Sequence, residues 1–343
     1  MNDMTCSRRS LAKGAVGAAA LAAAGGLGLV GCGGDGAADA GSASAARASC
    51  KIGILQLTEH PALDAANKGF VEAIEAADIN AKINQQNAQN DQSACQTIAS
   101  TLVNENCDLI LAIATPAAQA VAGATSDIPI VCTAITDFAA SGLVEDNDAP
   151  GGNVTGTSDM NPVADQIDLL HQLVPDAKKV GLLYCTAESN SKIQIDLAAE
   201  QLDELGMEGV EYTASSSNEV QQVVESMVGK VDAIYTPTDN TIASAMTVIA
   251  SIANENKVPT VCGEVAHVEA GGLASVSINY EELGRRAGEM AVRILSEGAD
   301  PADMPIETMT ADECDLVYNQ KTADALDVDV SSLADAGGTD VSA

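Results

Sequence analysis

The sequence predicts an α/β protein made of two similar doubly wound parallel-sheet lobes joined by a hinge. Two observations carry this. Short runs rich in Val, Ile and Leu alternate with helical patterns of about 12 to 17 residues, the signature of βαβ units and parallel sheets. These runs also fall into two matched sets: Lys51 recurs as Lys179 at an offset of 128, Asp108 as Asp232 at 124, and Pro129 with Cys132 as Pro259 with Cys262 at 130. A period that long marks a duplicated α/β unit, since solenoid repeats are far shorter.

In chain order, the first segment is a leader. Ser7, Arg8 and Arg9 precede an apolar, uncharged run over residues 14–30, rich in Ala and Gly, that reads as an export signal. At about 17 residues it sits at the lower limit for spanning the ~30 Å hydrocarbon core of a bilayer. LVGC at residues 29–32 resembles a bacterial lipobox and SRRSLAK resembles the twin-arginine export motif, which together imply a mature chain that begins at Cys32 with lipid on its thiol. Residues 1–31 are thus an export signal. Residues 32–49, nearly all Gly, Ala, Ser and Asp, are a tether too poor in apolar bulk to offset the entropy of ordering.

The six strand candidates are KIGILQL from Lys51, DLILAIA from Asp108, IPIVCTA from Ile128, KVGLLYC from Lys179, VDAIYTP from Val231 and VPTVCGE from Val258. The turn-rich stretch Pro150 to Asp159 reads as the first crossover between lobes, and Leu273 to Asn279 as the second, followed by an amphipathic helix from Tyr280 to Ser296. A strand around Leu316 and Val317 returns the chain to the second lobe. Lobe 1 is therefore expected over 50–157 and 279–308, lobe 2 over 158–278 and 309–330, and a disordered tail over 331–343.

A net charge of −33 repels phosphate backbones and anionic lipid headgroups, which excludes nucleic-acid binding and attachment to a membrane by charge. Beyond Cys6 and Cys32, seven cysteines remain, none spaced as CxxC. Cys132, Cys185 and Cys262 lie in strand-like runs and read as buried free thiols rather than metal ligands or a redox couple. No HExxH, GxSxG or strand-borne GxGxxG occurs, so metalloenzyme, serine-hydrolase and dehydrogenase chemistry lack their parts, and no metal or cofactor is expected. With no Trp and two Phe, the chain also offers few of the aromatic platforms that sugars favour.

Ligands of open parallel sheets bind beyond the carboxyl ends of the strands, where helix N-termini present unpaired N–H groups. Two facing lobes then share one cleft. Lobe 1 offers His60 after its first strand, Thr115 after another, and Thr133, Ala134 and Asp137 after a third; lobe 2 offers Asn190, Asp239 and Glu264. Thr115 before Pro116 can serve as a helix cap or as a ligand contact, and Asp239 as the cap of the helix that starts near Asn240 or as the partner of an ammonium. Glu264 is the other ammonium candidate. His171, within DLLHQLV, reads as a packing residue.

GILQLTEHPALDAANKGF, LILAIATPAAQA, PIVCTAITD, PGGNVTGTSD, VDAIYTPTDNTIASAM and GRRAGEMAVRIL together resemble the solute-binding lipoproteins of ABC importers, in the group with tryptophan- and tyrosine-type binding proteins. The resemblance runs from Lys51 to about Asn319. It implies a type I periplasmic-binding-protein fold, a hinged, non-enzymatic monomer on the outer face of the cell membrane, an aromatic amino acid as ligand, and a permease with a separate ATPase as partners. On that basis the ligand carboxylate is expected near Thr115, Thr133 and Ala134, its ammonium near Asp239, and its side chain near His60 and Asn190. Two positions depart from the family pattern: Phe138 replaces a Pro and Val265 an acidic residue. A sensor docking on a membrane receptor and a sugar- or nucleoside-binding protein are the other readings this scaffold allows.

Overall fold

The structure is a computed structural model and describes residues 49–342; the export signal, Cys32 and the tether as far as residue 48 lie outside the described residues. Lobe 1 begins with β1 (Cys50–Gln56), α1 (Pro61–Ala76), β2 (Ala81–Asn87), α2 (Gln92–Asn104), β3 (Leu109–Ile113), α3 (Thr115–Ala124), β4 (Ile130–Ile135) and β5 (Val154–Ser158). Lobe 2 follows with α4 (Val163–Leu173), β6 (Lys179–Cys185), α5 (Ser189–Glu204), β7 (Glu208–Ala214), α6 (Ser217–Met227), β8 (Ala233–Thr236), α7 (Asn240–Glu255), β9 (Thr260–Cys262), α8 (Val265–Glu269) and β10 (Ala274–Ser277). The chain returns to lobe 1 for α9 (Tyr280–Val292), one π-helical turn (Arg293–Glu297) and β11 (Glu307–Thr308). It ends in lobe 2 with β12 (Asp315–Tyr318), α10 (Gln320–Leu326), α11 (Ser331–Asp335) and β13 (Thr339–Asp340).

The lobe 1 sheet runs β11-β5-β4-β3-β1-β2 and the lobe 2 sheet β13-β12-β10-β9-β8-β6-β7. Within them the order β5-β4-β3-β1-β2 is repeated as β10-β9-β8-β6-β7, so the duplication read from residue offsets is a duplication of topology. All pairs are parallel except β10 with β12. Strands buried on both faces are apolar throughout, as parallel sheets require: LILAI in β3 and IVCTAI in β4 are wholly buried. The edge strands β2 (AKINQQN) and β7 (EGVEYTA) are mostly polar and half exposed, which is why the apolar-run criterion does not find them.

Two expectations are corrected. The crossovers are shorter than the stretches 150–159 and 273–279, because Val154–Ser158 and Ala274–Ser277 are buried and complete the two sheets; Asp159 to Pro162 and Ile278 to Asn279 alone bridge the lobes there. The tail over 331–343 is not disordered as far as residue 342. Leu333 is buried in the core beside α4 and α5, and β13 extends the sheet against β12. Leu333, the partly buried Val341 and a ladder edge outweigh a locally polar composition. The seven cysteines in these residues are free thiols, and no described helix is long and apolar enough to cross a membrane.

Helix α9 comes late in the chain yet packs on α1, covering β4 and β5. The two helices approach backbone to backbone: a Cβ on Gly284 would lie 1.9 Å from the Ala66 carbonyl oxygen, and one on Gly69 2.0 Å from that of Glu281. Gly284→Ala is therefore expected to force the helices apart at a cost of about 1–3 kcal/mol, a fall in Tm of roughly 2–4 °C per kcal/mol. Gly123→Ala in α3 meets no atom within 4 Å and gains helix propensity, so its Tm is expected to hold or rise. Calorimetry on the pair checks both.

Candidate functional site

The carboxyl ends of both sheets face each other across one cavity. From lobe 1 it is lined by His60, Leu63, Ala134, Thr136 and Asp159, from lobe 2 by Asn190, Thr238, Asp239, Asn240 and Glu264, with Tyr280 at the second crossover. No Lys or Arg is among them. Ala134 sits at a register break in β4 with φ of +57°, and Ala114, at the end of the neighbouring β3, has φ of +80°. Strained non-glycine residues at two adjacent strand ends are the kind of backbone distortion that clusters at ligand clamps.

Of the residues expected from sequence, His60, Ala134, Asn190, Asp239 and Glu264 meet at the cavity. Thr115, Thr133 and Asp137 do not line it. Thr115 is the first residue of α3, with Ala114 in the cap position. Thr133 is buried inside the sheet and accepts a hydrogen bond from Thr157 Oγ1 at 2.9 Å. Asp137 closes its own loop by accepting from Ala140 N at 3.0 Å and Asn147 Nδ2 at 3.3 Å.

Asp239 lines the cavity, but its oxygens are spent within lobe 2. Oδ1 caps α7 at Ile242 N (2.9 Å), and Oδ2 accepts from Cys185 N and Ser191 Oγ, both at 2.7 Å. Burial, with Glu188 close by, holds its carboxyl well above the usual range. Asp239 is a helix cap whose two oxygens already accept three hydrogen bonds from its own lobe. Glu188 performs the same service one step along: Oε1 accepts from Thr241 N and Oγ1 at 2.8 Å, Oε2 from Asn240 N at 3.1 Å and Nδ2 at 2.6 Å.

Two other carboxylates are less committed. Asp159, in the first crossover, accepts from Tyr280 Oη at 3.0 Å and Thr136 Oγ1 at 3.2 Å; burial pushes its pKa up to about 6 even so, with the Glu264 charge adding to the rise. Glu264, preceding α8, has an oxygen without a hydrogen-bond partner, although His267 Nε2 lies 3.0 Å away out of line. Burial pushes Glu264 upward, but His267 beside it outweighs that and leaves its carboxyl below the ordinary range. Sequence reasoning missed Asp159 as a site residue because it lies in a stretch that also reads as a plain connector. Its signal was an acid within a turn-rich crossover.

The crossovers are tied together at the same place. Asn161 Oδ1 accepts from Ile278 N at 3.0 Å, and Tyr280 reaches across to Asp159. Across the cleft, His60 Nε2 meets Asn240 Oδ1 at 3.0 Å, Asn90 Nδ2 donates to Thr241 Oγ1 at 3.2 Å and Gln194 Nε2 to Thr136 Oγ1 at 3.3 Å. These contacts draw the lobes so close that the cavity measures only ≈ 10 Å³, about the space of one water. Anything larger enters only if the lobes part. Among the described residues, no group of three or more His, Cys, Asp or Glu could hold a metal ion.

Residues 51–336 match the family described as ABC transporter substrate binding protein. A tyrosine-binding protein of Clostridioides difficile (strain R20291) is 47% identical over 281 residues, 81% of each chain. An ABC domain from Streptococcus pneumonia, solved in complex with L-Trp, is 39% identical with a TM-score of 0.81 over 84% of this chain and 98% of that one. The ligand-free, open structure of a substrate-binding protein with adhesive properties from Clostridium difficile is 47% identical but superposes less well, with a TM-score of 0.64 over 82% of this chain and 95% of that one. Higher identity with poorer overlap is the mark of rigid lobes set at different angles, and here the lobes are drawn together. A duplicated α/β scaffold, one cavity between its halves and a match along nearly the whole described chain lead to one assignment: this chain belongs to the ABC transporter substrate-binding protein family and has its type I periplasmic-binding-protein fold.

Proposed function

We propose that this protein captures an aromatic amino acid in the interlobe cavity and delivers it to the permease of an ABC importer, acting as a lipid-anchored, non-enzymatic monomer on the outer face of the cell membrane. The observation that carries the reading is the pair Asp159 and Glu264. One carboxylate stands at the hinge and the other before α8 of lobe 2, in a cavity with no Lys or Arg in its lining. Asp159 is held only by the Tyr280 and Thr136 hydroxyls and Glu264 has only His267 beside it, so a ligand ammonium seated between them offsets the cost of their burial while pulling the two lobes together. Glu264, the alternative to Asp239 in the sequence reading, thus takes its place with Asp159. The ligand carboxylate would face the strained strand end at Ala134. The C. difficile tyrosine-binding protein and the S. pneumonia L-Trp complex support the ligand class, and the export signal with Cys32 supports the anchor.

Asp159→Asn is expected to weaken amino-acid binding at least tenfold, and the deaminated analogue should bind the native protein no better than the amino acid binds the variant; titration calorimetry reads both. Equal binding of the amino acid and its analogue by the native protein would place the ammonium elsewhere.

Acidity acts in two directions. An ammonium pairs with ionised Asp159, so affinity should fall as pH drops below about 6. In the ligand-free protein the same raised pKa means that ionisation destabilises the fold as pH rises through about 6, whereas below the unfolded-chain value of ~3.9 both states are protonated. The ligand-free Asp159→Asn variant should therefore melt above native at pH 8, with the gap closing towards pH 4.

Saturating ligand is expected to reduce the radius of gyration in solution scattering relative to ligand-free protein, through rotation about Asp159 to Pro162 and Ile278 to Asn279. Cys32→Ala is expected to leave the domain folded but released from membranes by carbonate washing. Its retention would argue for another anchor.

A further inference from the structure

His60, Asn190 and Glu264 each carry a polar atom, Nδ1, Oδ1 and Oε1 respectively, that is buried and without a hydrogen-bond partner. All three side chains line one cavity and are at least nine-tenths buried. Buried polar atoms are rarely left unpaired, so three around one cavity call for an explanation. Glu264 is covered by the ammonium argument. Asn190 and His60 are not.

The character of His60 Nδ1 follows from a chain of contacts that starts outside the cavity. Glu188 already receives four donors on its two oxygens, among them Asn240 Nδ2 at 2.6 Å, and acts purely as an acceptor. Turning the Asn240 amide over would press its oxygen against a carboxylate oxygen, so Asn240 must present Oδ1 to His60 Nε2, 3.0 Å away. A carbonyl oxygen only accepts. The proton of the neutral ring is therefore on Nε2, and Nδ1 is a buried, unpaired lone pair on a side chain that lines the cavity. Asn190 points the same way: Nδ2 donates to the Thr238 carbonyl at 3.3 Å, leaving Oδ1 as an acceptor.

We infer that His60 Nδ1 and Asn190 Oδ1 form a subsite for a hydrogen-bond donor on the ligand's side chain, and that Glu188, which touches no ligand, is the positioning residue that fixes His60 as an acceptor through Asn240. The inference rests on the amino-acid reading and narrows it to aromatic side chains that carry an O–H or N–H, such as a phenol or an indole. A site built to hydrogen-bond such a group rejects the analogue that lacks it far more strongly than an apolar pocket rejects a missing methylene, because its own buried atoms are left unpaired.

The test combines affinities with a ring spectrum. Titration calorimetry with L-tyrosine, L-tryptophan, L-phenylalanine and 4-fluoro-L-phenylalanine should show the last two bound at least ~100-fold more weakly than the better of the first two. In Glu188→Gln, the new amide can donate to Asn240 Oδ1, which frees Asn240 to turn and lets His60 adopt the other tautomer. The preference for a donor-bearing side chain is then expected to fall below ~10-fold. Nitrogen NMR of the ¹⁵N-histidine-labelled native protein, assigned with His60→Gln, should show His60 protonated on Nε2 and bare on Nδ1; this measurement needs no variant at position 188 to fold. A proton on Nδ1, or a preference unchanged in a folded Glu188→Gln protein, overturns the inference. If native protein binds phenylalanine as well as tyrosine and tryptophan yet still discriminates against their deaminated analogues, the subsite fails and the amino-acid reading stands. If it binds none of the amino acids, both fall.

Discussion

Ionised carboxylates tolerate a closed cavity only when something positive or richly donating closes it with them, and the cleft of this protein is organised around that constraint. Four acids crowd the meeting point of the lobes: Glu188 and Asp239 are quenched by backbone N–H groups and hydroxyls of their own lobe. Asp159, which accepts only from two hydroxyls, and Glu264, with one oxygen lacking a hydrogen-bond partner, keep more capacity free. Residues that line the same cavity thus differ in how many donors their oxygens have already accepted.

That distinction also marks how far the sequence could be read. Two duplicated lobes followed from the recurrence of Lys51, Asp108 and Pro129 at near-constant offsets, because a buried parallel sheet needs apolar strands whose ends are punctuated alike. Edge strands carry little of that signal, and neither β2 nor β7 stands out as an apolar run. The tail misled for a related reason: Leu333 and Val341 are isolated apolar residues among Asp, Ser and Gly, and their burial depends on surfaces supplied by other parts of the chain.

Of the residues that the strand-end rule selects, His60, Ala134, Asn190, Asp239 and Glu264 line the cavity. It could not say which oxygen of Asp239 was already taken, since Cys185 N and Ser191 Oγ lie about 50 residues away in sequence. Nor could it see Asp159, whose importance comes from the neighbouring Tyr280, 121 residues on. Thr115, Thr133 and Asp137 sit at the correct ends of their strands but are turned to the tasks of starting a helix, pairing two strands and closing a loop.

The late return of α9 to lobe 1 governs the order in which the molecule can be made. Phe70 and Ile74 on α1 share their core with Leu283, Ala287 and Met290, so that face of lobe 1 has nothing to bury against until more than 200 further residues have been synthesised. Lobe 2 cannot finish first either, because β12 and β13 are later still. Neither half can fold to completion as it emerges from the ribosome, and both close within the last stretch of the chain. Such non-local closure is intrinsically slow and leaves apolar faces open meanwhile. A circular permutant that begins at Asn279 would bring α9 ahead of α1 with only the stretch from β11 to β13 and the joining segment between them, and its lobe 1 would fold by more local contacts.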